Sequence, residues 1–305
     1  MATRFEIVLH GGNAVALRAA GEEALDEIDR IEAQLSLYKP TSEIAHVNAR
    51  AAREPVRVSP PVFRLLEHAQ CLSAETEGAF DITIAPLVRC WGFMGGTGRM
   101  PALLEVEESR SKVGMNLIHL DGREFTVSFA RDGVMLDLGA IGKGYALERA
   151  VELLQDAGVT SAMIHGGTST VHAIGRPPGD EPWKIAIERP QQGAAQPAEL
   201  LALVPLENEA MSVSAIWGRS FRSGEKSYGH VIDPRTGQPA EAALLSAVVL
   251  PSATETDALS TALLTMGSAG LRRVAGLRER ARCLVVERRA DQLFTDSIGI
   301  PHSTH

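Results

Sequence analysis

The sequence predicts an α+β fold with mostly antiparallel sheets flanked by helices, and three observations carry that prediction. Short runs of alternating hydrophobicity are turned by Asp-Gly and Gly-Gly pairs, as in hairpins. Other stretches space their apolar residues along one helical face. The two kinds are mixed without strict strand–helix–strand alternation, and no short fixed repeat occurs. The 305 residues, 45% hydrophobic and 22% charged, suffice for a sizeable core in one large or two ordinary domains.

Taken in order, residues 5–10 alternate and are rich in Ile, Val and Leu, which predicts a first strand turned at Gly11-Gly12-Asn13. Over 14–37, Leu17, Ala20, Ala24, Leu25, Ile28, Ile31 and Leu35 share one face of a helix. It ends before Lys39-Pro40, and a polar loop with one aromatic, Tyr38, leads to a short helical turn closed by Asn48. Residues 56–58 form a brief strand. Ser59 caps a helix that starts on Pro60-Pro61 and reaches Thr76. Gly78-Ala79-Phe80-Asp81, Pro86 and Trp91-Gly92-Phe93 follow, then a glycine-rich loop at 94–99 and an acidic helix over 103–112. A meander covers 117–120, 124–129 and 134–136, turned at Asp121-Gly122 and Asp132-Gly133.

The stretch from Asp137 to Gly144 opens into a helix over 145–157, with Gly158 as its C-terminal cap. Further strands are expected at 161–165, broken by Gly166-Gly167, and at 183–187, 200–204, 211–214 and 244–250. Residues 191–198, rich in Gln, Ala and Pro, read as a surface loop. Helices over 254–266 and 269–280 precede a terminal hairpin of 283–287 and 292–295.

A formal net charge of −8 argues against nucleic acid or an anionic membrane as general partner. A polyanionic ligand must be held locally, by backbone N–H groups or a metal. Cys71, Cys90 and Cys283 are too scattered for a zinc site and odd in number for a disulfide framework, so they read as buried or incidental thiols in a reducing compartment. No run of 18 apolar residues and no leader pattern is seen. The sequence as given therefore predicts a cytoplasmic protein with no membrane span; removal of a leader would place the same chain outside the cytoplasm.

Four stretches carry candidate chemistry. His230-Val-Ile-Asp-Pro-Arg-Thr-Gly-Gln-Pro reads as a short strand, Val231-Ile232, stopped at Asp233-Pro234, with Gly237 supplying a positive φ. It gathers a base, an acid and a cation, and by itself it equally describes a polar hairpin loop. In Asp137-Leu-Gly-Ala-Ile-Gly-Lys-Gly a strand passes through three glycines into a helix; spacing alone ranks a phosphate site and a tight turn equal. Asp257 and Thr261 lie four apart on one helical face, hard oxygen ligands suited to Mg²⁺. Thr254 with Asp257 also resembles a capping box, which spacing alone favours. Phe80-Asp81 offers either an aromatic face for a flat ring or, more commonly, a core Phe and a turn Asp.

Together these segments resemble the FAD:protein FMN transferase family, the ApbE-type flavin transferases. The likeness runs through Met1-Ala2-Thr3, Ser36-x-Tyr38-x-Pro40-x-Ser42-Glu43-Ile44 with Asn48, and Gly78-Ala79-Phe80-Asp81 with Trp91-Gly92-Phe93. Its most specific parts are Asp137-Leu-Gly-Ala-Ile-Gly-Lys-Gly-Tyr-Ala, His230 to Pro239, and Asp257-Ala-Leu-Ser-Thr-Ala. The resemblance implies one domain over residues 1–305, built as two intertwined lobes with FAD in a cleft. It implies Mg²⁺-dependent transfer of FMN from FAD to a Thr or Ser hydroxyl of a partner flavoprotein, with release of AMP. Asp257, Ser260, Thr261 and the Ala140 carbonyl would hold Mg²⁺. Met1, Tyr38, Ala79, Phe80, Asp81, Asp137, Lys143 and Val231 would line FAD, and His230 would take the proton of the attacking hydroxyl, with Asp257 as the second catalytic residue. Two segments depart from the family pattern: Gly166-Gly167-Thr168-Ser169, without the usual carboxylate or amide, and Ser212-Val213-Ser214-Ala215-Ile216-Trp217-Gly218. They leave two alternatives open, an FAD pyrophosphatase using water and a non-catalytic FAD carrier.

Overall fold

The structure is a computed structural model and describes residues 3–190, 199–224, 226–290 and 292–303. Met1 and the expected loop at 191–198 lie outside the described residues. The chain divides into two compact units. One consists of Arg30–Gly142 with Ile216–Glu241, and the other of the described parts of Ala2–Asp29, Lys143–Ala215 and Ala242–His305.

In chain order, β1 (Phe5–Leu9) leads to α1 (Ala14–Leu35). Asn13 caps α1, its Oδ1 accepting from the Val15 and Ala16 amides at 3.1 Å each. Ala20, Ala24, Ile28, Ile31 and Leu35 form the buried stripe. Leu25 does not belong to it; one residue past Ala24 it is turned about 100° around the axis and is 37% exposed. Ser42 caps α2 (Glu43–Arg50), its Oγ accepting from Ala45 N at 2.9 Å. β2 (Val56–Arg57) precedes α3 (Pro60–Glu75). Ser59 holds the cap position of α3 but makes no side-chain cap bond. Its hydroxyl donates instead to Glu43 Oε1 at 2.9 Å, and its amide to Glu43 Oε2 at 2.6 Å.

Then come α4 (Ala85–Cys90), α5 (Leu103–Arg110), β3 (Ile118–Asp121) and β4 (Thr126–Phe129). β2, β4 and β3 form a three-stranded antiparallel sheet. The strand expected at 134–136 is not formed. Asn48 satisfies Leu136 in place of a neighbouring strand: Oδ1 accepts the Leu136 N–H at 2.7 Å, and Nδ2 donates to its carbonyl at 2.9 Å.

The second half runs α6 (Gly142–Asp156), β5 (Ala162–Gly166), β6 (Thr170–Ile174), β7 (Trp183–Glu188), β8 (Leu200–Leu206) and β9 (Glu209–Ala215). The hairpin of β10 (Ser220–Ser223) and β11 (Lys226–Gly229) follows, then β12 (Leu245–Leu250), α7 (Ala253–Met266), α8 (Leu271–Gly276), β13 (Arg282–Arg289) and β14 (Gln292–Ile298). The helix expected over 269–280 is a 3₁₀ turn, Gly267–Gly270, followed by the short α8. Val231-Ile232 is not a strand; Ile232 makes one antiparallel bridge to Pro239. Of the thiols read as incidental, Cys90 and Cys283 are buried and Cys71 is exposed.

The second unit is organised on a seven-stranded sheet of order β1-β5-β6-β9-β12-β13-β14, antiparallel throughout. Side chains alternate between its faces. On one face Val171, Met211, Leu245, Ala247, Val249, Leu284 and Val286 pack with Trp183, Ile187, Leu201, Val204 and Leu206 of the β7–β8 hairpin. The opposite face carries hydroxyls toward α7. Ser212 Oγ lies 2.8 Å from Thr256 Oγ1 and 3.2 Å from Thr170 Oγ1, Ser214 Oγ lies 2.9 Å from Ser260 Oγ, and Ser246 donates to the Ser260 carbonyl at 2.6 Å. A register slip of one residue would put methyls where these hydroxyls stand.

The start of α7 is held by α6. Glu148 of α6 accepts from Ser252 Oγ (2.7 Å) and from the Thr254 amide (2.8 Å). Gly144 makes this approach possible, because a Cβ there would stand 2.0 Å from the Ala253 carbonyl oxygen. Gly144→Ala is therefore expected to lower stability by about 1–3 kcal/mol, read as a lower urea midpoint; an unchanged midpoint would show that the helices can separate freely.

His172 on β6 is 6% exposed, and its Nδ1 has no partner among the described residues. Burial pushes its pKa down to about 4, against the opposing pull of Glu148. The folded state keeps it neutral, so the unfolded chain takes up its proton first as pH falls. Its contribution, on the order of 3 kcal/mol, is present above pH 6.5 and is lost between 6.5 and about 4. Urea titrations of the wild type and His172→Gln at pH 7 and 5 should show a smaller pH difference in the variant; equal differences would exclude His172 as the source.

Candidate functional site

The sheet-bearing unit brings together Lys143, Asp257, Ser260 and Thr261. Asp257 stands on the second turn of α7, only 3% exposed. Its Oδ1 accepts from Lys143 Nζ at 2.9 Å, and its Oδ2 accepts from the Gly144 amide at 3.1 Å and from Lys143 Nζ at 3.3 Å. That amide is one of the donors α6 leaves open at its N-terminus, where the helix dipole also favours negative charge. The cap of α7 is not Thr254 with Asp257, as spacing suggests. Ser252 caps it, accepting from the Glu255 amide at 3.2 Å, which leaves the Asp257 carboxylate for another use.

Thr261, one helical turn on, donates to the Asp257 carbonyl at 3.2 Å, and its Oγ1 lies 3.3 Å from Ser214 Oγ. Ser260 is fully buried, its hydroxyl donating to the same carbonyl at 3.1 Å and meeting Ser214. No group of three or more His, Cys, Asp or Glu suited to a metal exists among the described residues. A divalent ion at Asp257 would thus have one carboxylate, hydroxyls and backbone oxygens, with water and ligand oxygens completing its shell. Such a hard-oxygen set fits Mg²⁺.

The other unit carries the remaining candidates. Gly237, at φ +73, closes the turn after His230, and Trp91 Nε1 donates to its carbonyl at 2.8 Å. The acid and the cation of that turn are spent on each other: Asp233 Oδ1 accepts from Arg235 Nε at 2.9 Å and Oδ2 from a terminal guanidinium nitrogen at 2.8 Å. His230 Nδ1 lies 3.1 Å from the Arg219 carbonyl oxygen. A carbonyl only accepts, so the neutral ring carries its proton on Nδ1 and its basic lone pair on Nε2. The half-buried Val231 beside it accepts from the Ala240 amide at 2.8 Å.

Tyr38 is 59% exposed. Partial burial and then the Asp137 carboxylate raise its pKa, while Arg219 acts in the opposite direction. Asp137 folds over its own turn, Oδ1 accepting from Gly139 N at 2.8 Å, and Ala140 is half-buried just beyond. Phe80, 2% exposed, is a core ring. Asp81 is also buried, accepting from Thr83 N (2.7 Å), Thr83 Oγ1 (2.6 Å) and Met115 N (3.1 Å). Burial pushes its carboxyl pKa up against those bonds. Of the two readings of Phe80-Asp81, the core and turn roles describe these side chains.

Two residues in contact with these candidates are not among the sequence-predicted ones. Ser214 contacts both Ser260 and Thr261, and its signals are the alternation of Ser212-Val213-Ser214 and its place in the 212–218 segment. Arg219 supplies the carbonyl beneath His230 and offers no sequence signal at all.

The sequence profile of the ApbE family matches residues 1–285. The FAD:protein FMN transferase of Haemophilus influenzae is 32% identical over 282 residues, which cover 89% of this chain and 80% of that protein. That of Klebsiella pneumoniae is 31% identical over 264 residues, 83% and 72% of the two chains. Among solved structures, the ApbE protein of Thermotoga maritima superposes with a TM-score of 0.83 at 29% identity, covering 93% of this chain and 91% of its own. The flavin transferase ApbE of Vibrio cholerae gives 0.83 at 25% identity, covering 98% and 94%.

Proposed function

The chain belongs to the ApbE family, and from that membership we propose that it transfers FMN from FAD to a hydroxyl of a protein. In this reading Mg²⁺ is the metal, a Thr or Ser of the acceptor is the nucleophile, and AMP leaves. The observation that carries it is the buried Asp257 carboxylate, flanked by Lys143 and followed by Thr261 on the same helix.

The reaction exchanges one phosphoryl–oxygen bond for another. The acceptor Oγ bonds to the FMN phosphorus, the bond from that phosphorus to the bridging oxygen breaks, and the oxygen departs with AMP. His230 takes the hydroxyl proton on Nε2, the nitrogen opposite the one that faces Arg219. Asp257 and Thr261 would hold Mg²⁺, with Ser260 bracing the turn from within. When bound, the ion neutralises charge on the diphosphate oxygens. Lys143 adds a second positive charge for the same oxygens. Tyr38, Asp137 and Val231, with the backbone of Ala79 to Asp81, receive the flavin dinucleotide. No helix among the described residues is long and apolar enough to cross a membrane.

Incubation with FAD, Mg²⁺ and a panel of flavin-accepting domains should raise an acceptor's mass by one FMN less water. Asp257→Asn should cut the rate by about 100-fold or more, and chelation of the metal should do the same. A panel left unmodified would contradict the reading. Release of AMP and free FMN without any acceptor would assign the chain to hydrolysis instead.

A further inference from the structure

The Arg219 carbonyl oxygen makes two bonds with one residue, accepting from the His230 amide at 3.0 Å and facing the imidazole Nδ1 at 3.1 Å. The guanidinium of the same residue fixes where that carbonyl stands. It donates to the Phe93 carbonyl at 2.6 Å and the Gly96 carbonyl at 3.2 Å. Phe93 closes the circuit, its ring edge-on to His230 at 6.4 Å and 72°. Arg219 has no carboxylate partner among the described residues. An exposed arginine that spends itself on two loop carbonyls, rather than on an acid, is placed for its geometry.

We propose that Arg219 is a positioning residue for the transfer reaction: its clamped backbone carbonyl holds His230 as the Nδ1–H tautomer and so keeps the basic lone pair on Nε2. This rests on the reading of His230 as the base. The guanidinium matters because a carbonyl in a loop holds a ring only as well as the loop itself is held. Without it, the 93–96 loop and residue 219 lose their tie, and the ring can turn or move its proton to Nε2, where it would be an acid and not a base.

The test uses the full chain labelled with ¹⁵N-histidine, at a pH where the ring is neutral, with the His230 signals assigned by their loss in His230→Gln. The wild type should show Nδ1–H. Arg219→Ala should show a growing share of Nε2–H, with Arg219→Lys between the two. In parallel, kcat for flavin transfer should fall about tenfold in Arg219→Ala, less than the hundredfold or more a positioned base contributes, with partial recovery in Arg219→Lys. An Nε2–H ring in the wild type, an unchanged tautomer in Arg219→Ala, or a changed tautomer with unchanged kcat would each overturn the proposal. Wild-type transfer by His230→Gln would overturn the base reading itself, an outcome separable from the others because the nitrogen spectra do not depend on turnover.

Discussion

A carboxylate almost fully removed from water is the constraint on which the sheet-bearing unit turns. Burying a charge costs several kcal/mol unless it is paired and hydrogen-bonded. Asp257 meets that cost with the Lys143 ammonium, the Gly144 amide and the positive end of α6. Each compensation demands something of the backbone. The amide is available only because the first turn of α6 leaves it open, and it is within reach only because residue 144 has no side chain. Glu148, one turn further along α6, then fixes the start of α7 through Ser252 and Thr254. Two helices are thus locked at their N-termini around one oxygen pair.

The same constraint explains the unusual polarity of the sheet beneath. A helix carrying Thr256, Ser260 and Thr261 cannot pack on a purely aliphatic face without orphaning its hydroxyls. The strands answer with Thr170, Ser212, Ser214 and Ser246 at alternating positions, while the intervening residues build the apolar core with the β7–β8 hairpin. Ser212 and Ser214 therefore have a physical role in this chain. Those serines support the helix that carries Asp257.

Much of the fold is legible from local rules. Gly158 ends α6 at φ +80, Gly237 closes its turn at φ +73, and the α1 stripe falls where the spacing puts it, Leu25 apart. What local rules miss is decided by distant partners. Ser59 looks like a cap, but Glu43, sixteen residues earlier, claims its hydroxyl. Residues 134–136 look like a strand, but Asn48 satisfies the backbone of Leu136. Thr254 and Asp257 look like a capping box, but Ser252 does that work. Residue types and motifs single out Asp257 on α7 and His230 before its turn. The bonds that give Asp257 and His230 their character come from Gly144 and Arg219, a glycine without a side chain and an arginine acting through its main chain.

In the proposed reaction the Asp257 carboxylate would hold a divalent ion for the diphosphate of FAD. Electron–nuclear double resonance on Mn²⁺ added in place of Mg²⁺ to the protein with FAD tests it most directly. A ³¹P coupling from a phosphate bound directly to the ion is expected, absent when Asp257 is replaced by Asn. A spectrum without ³¹P coupling in the wild type, or the same coupling in Asp257→Asn, would contradict it.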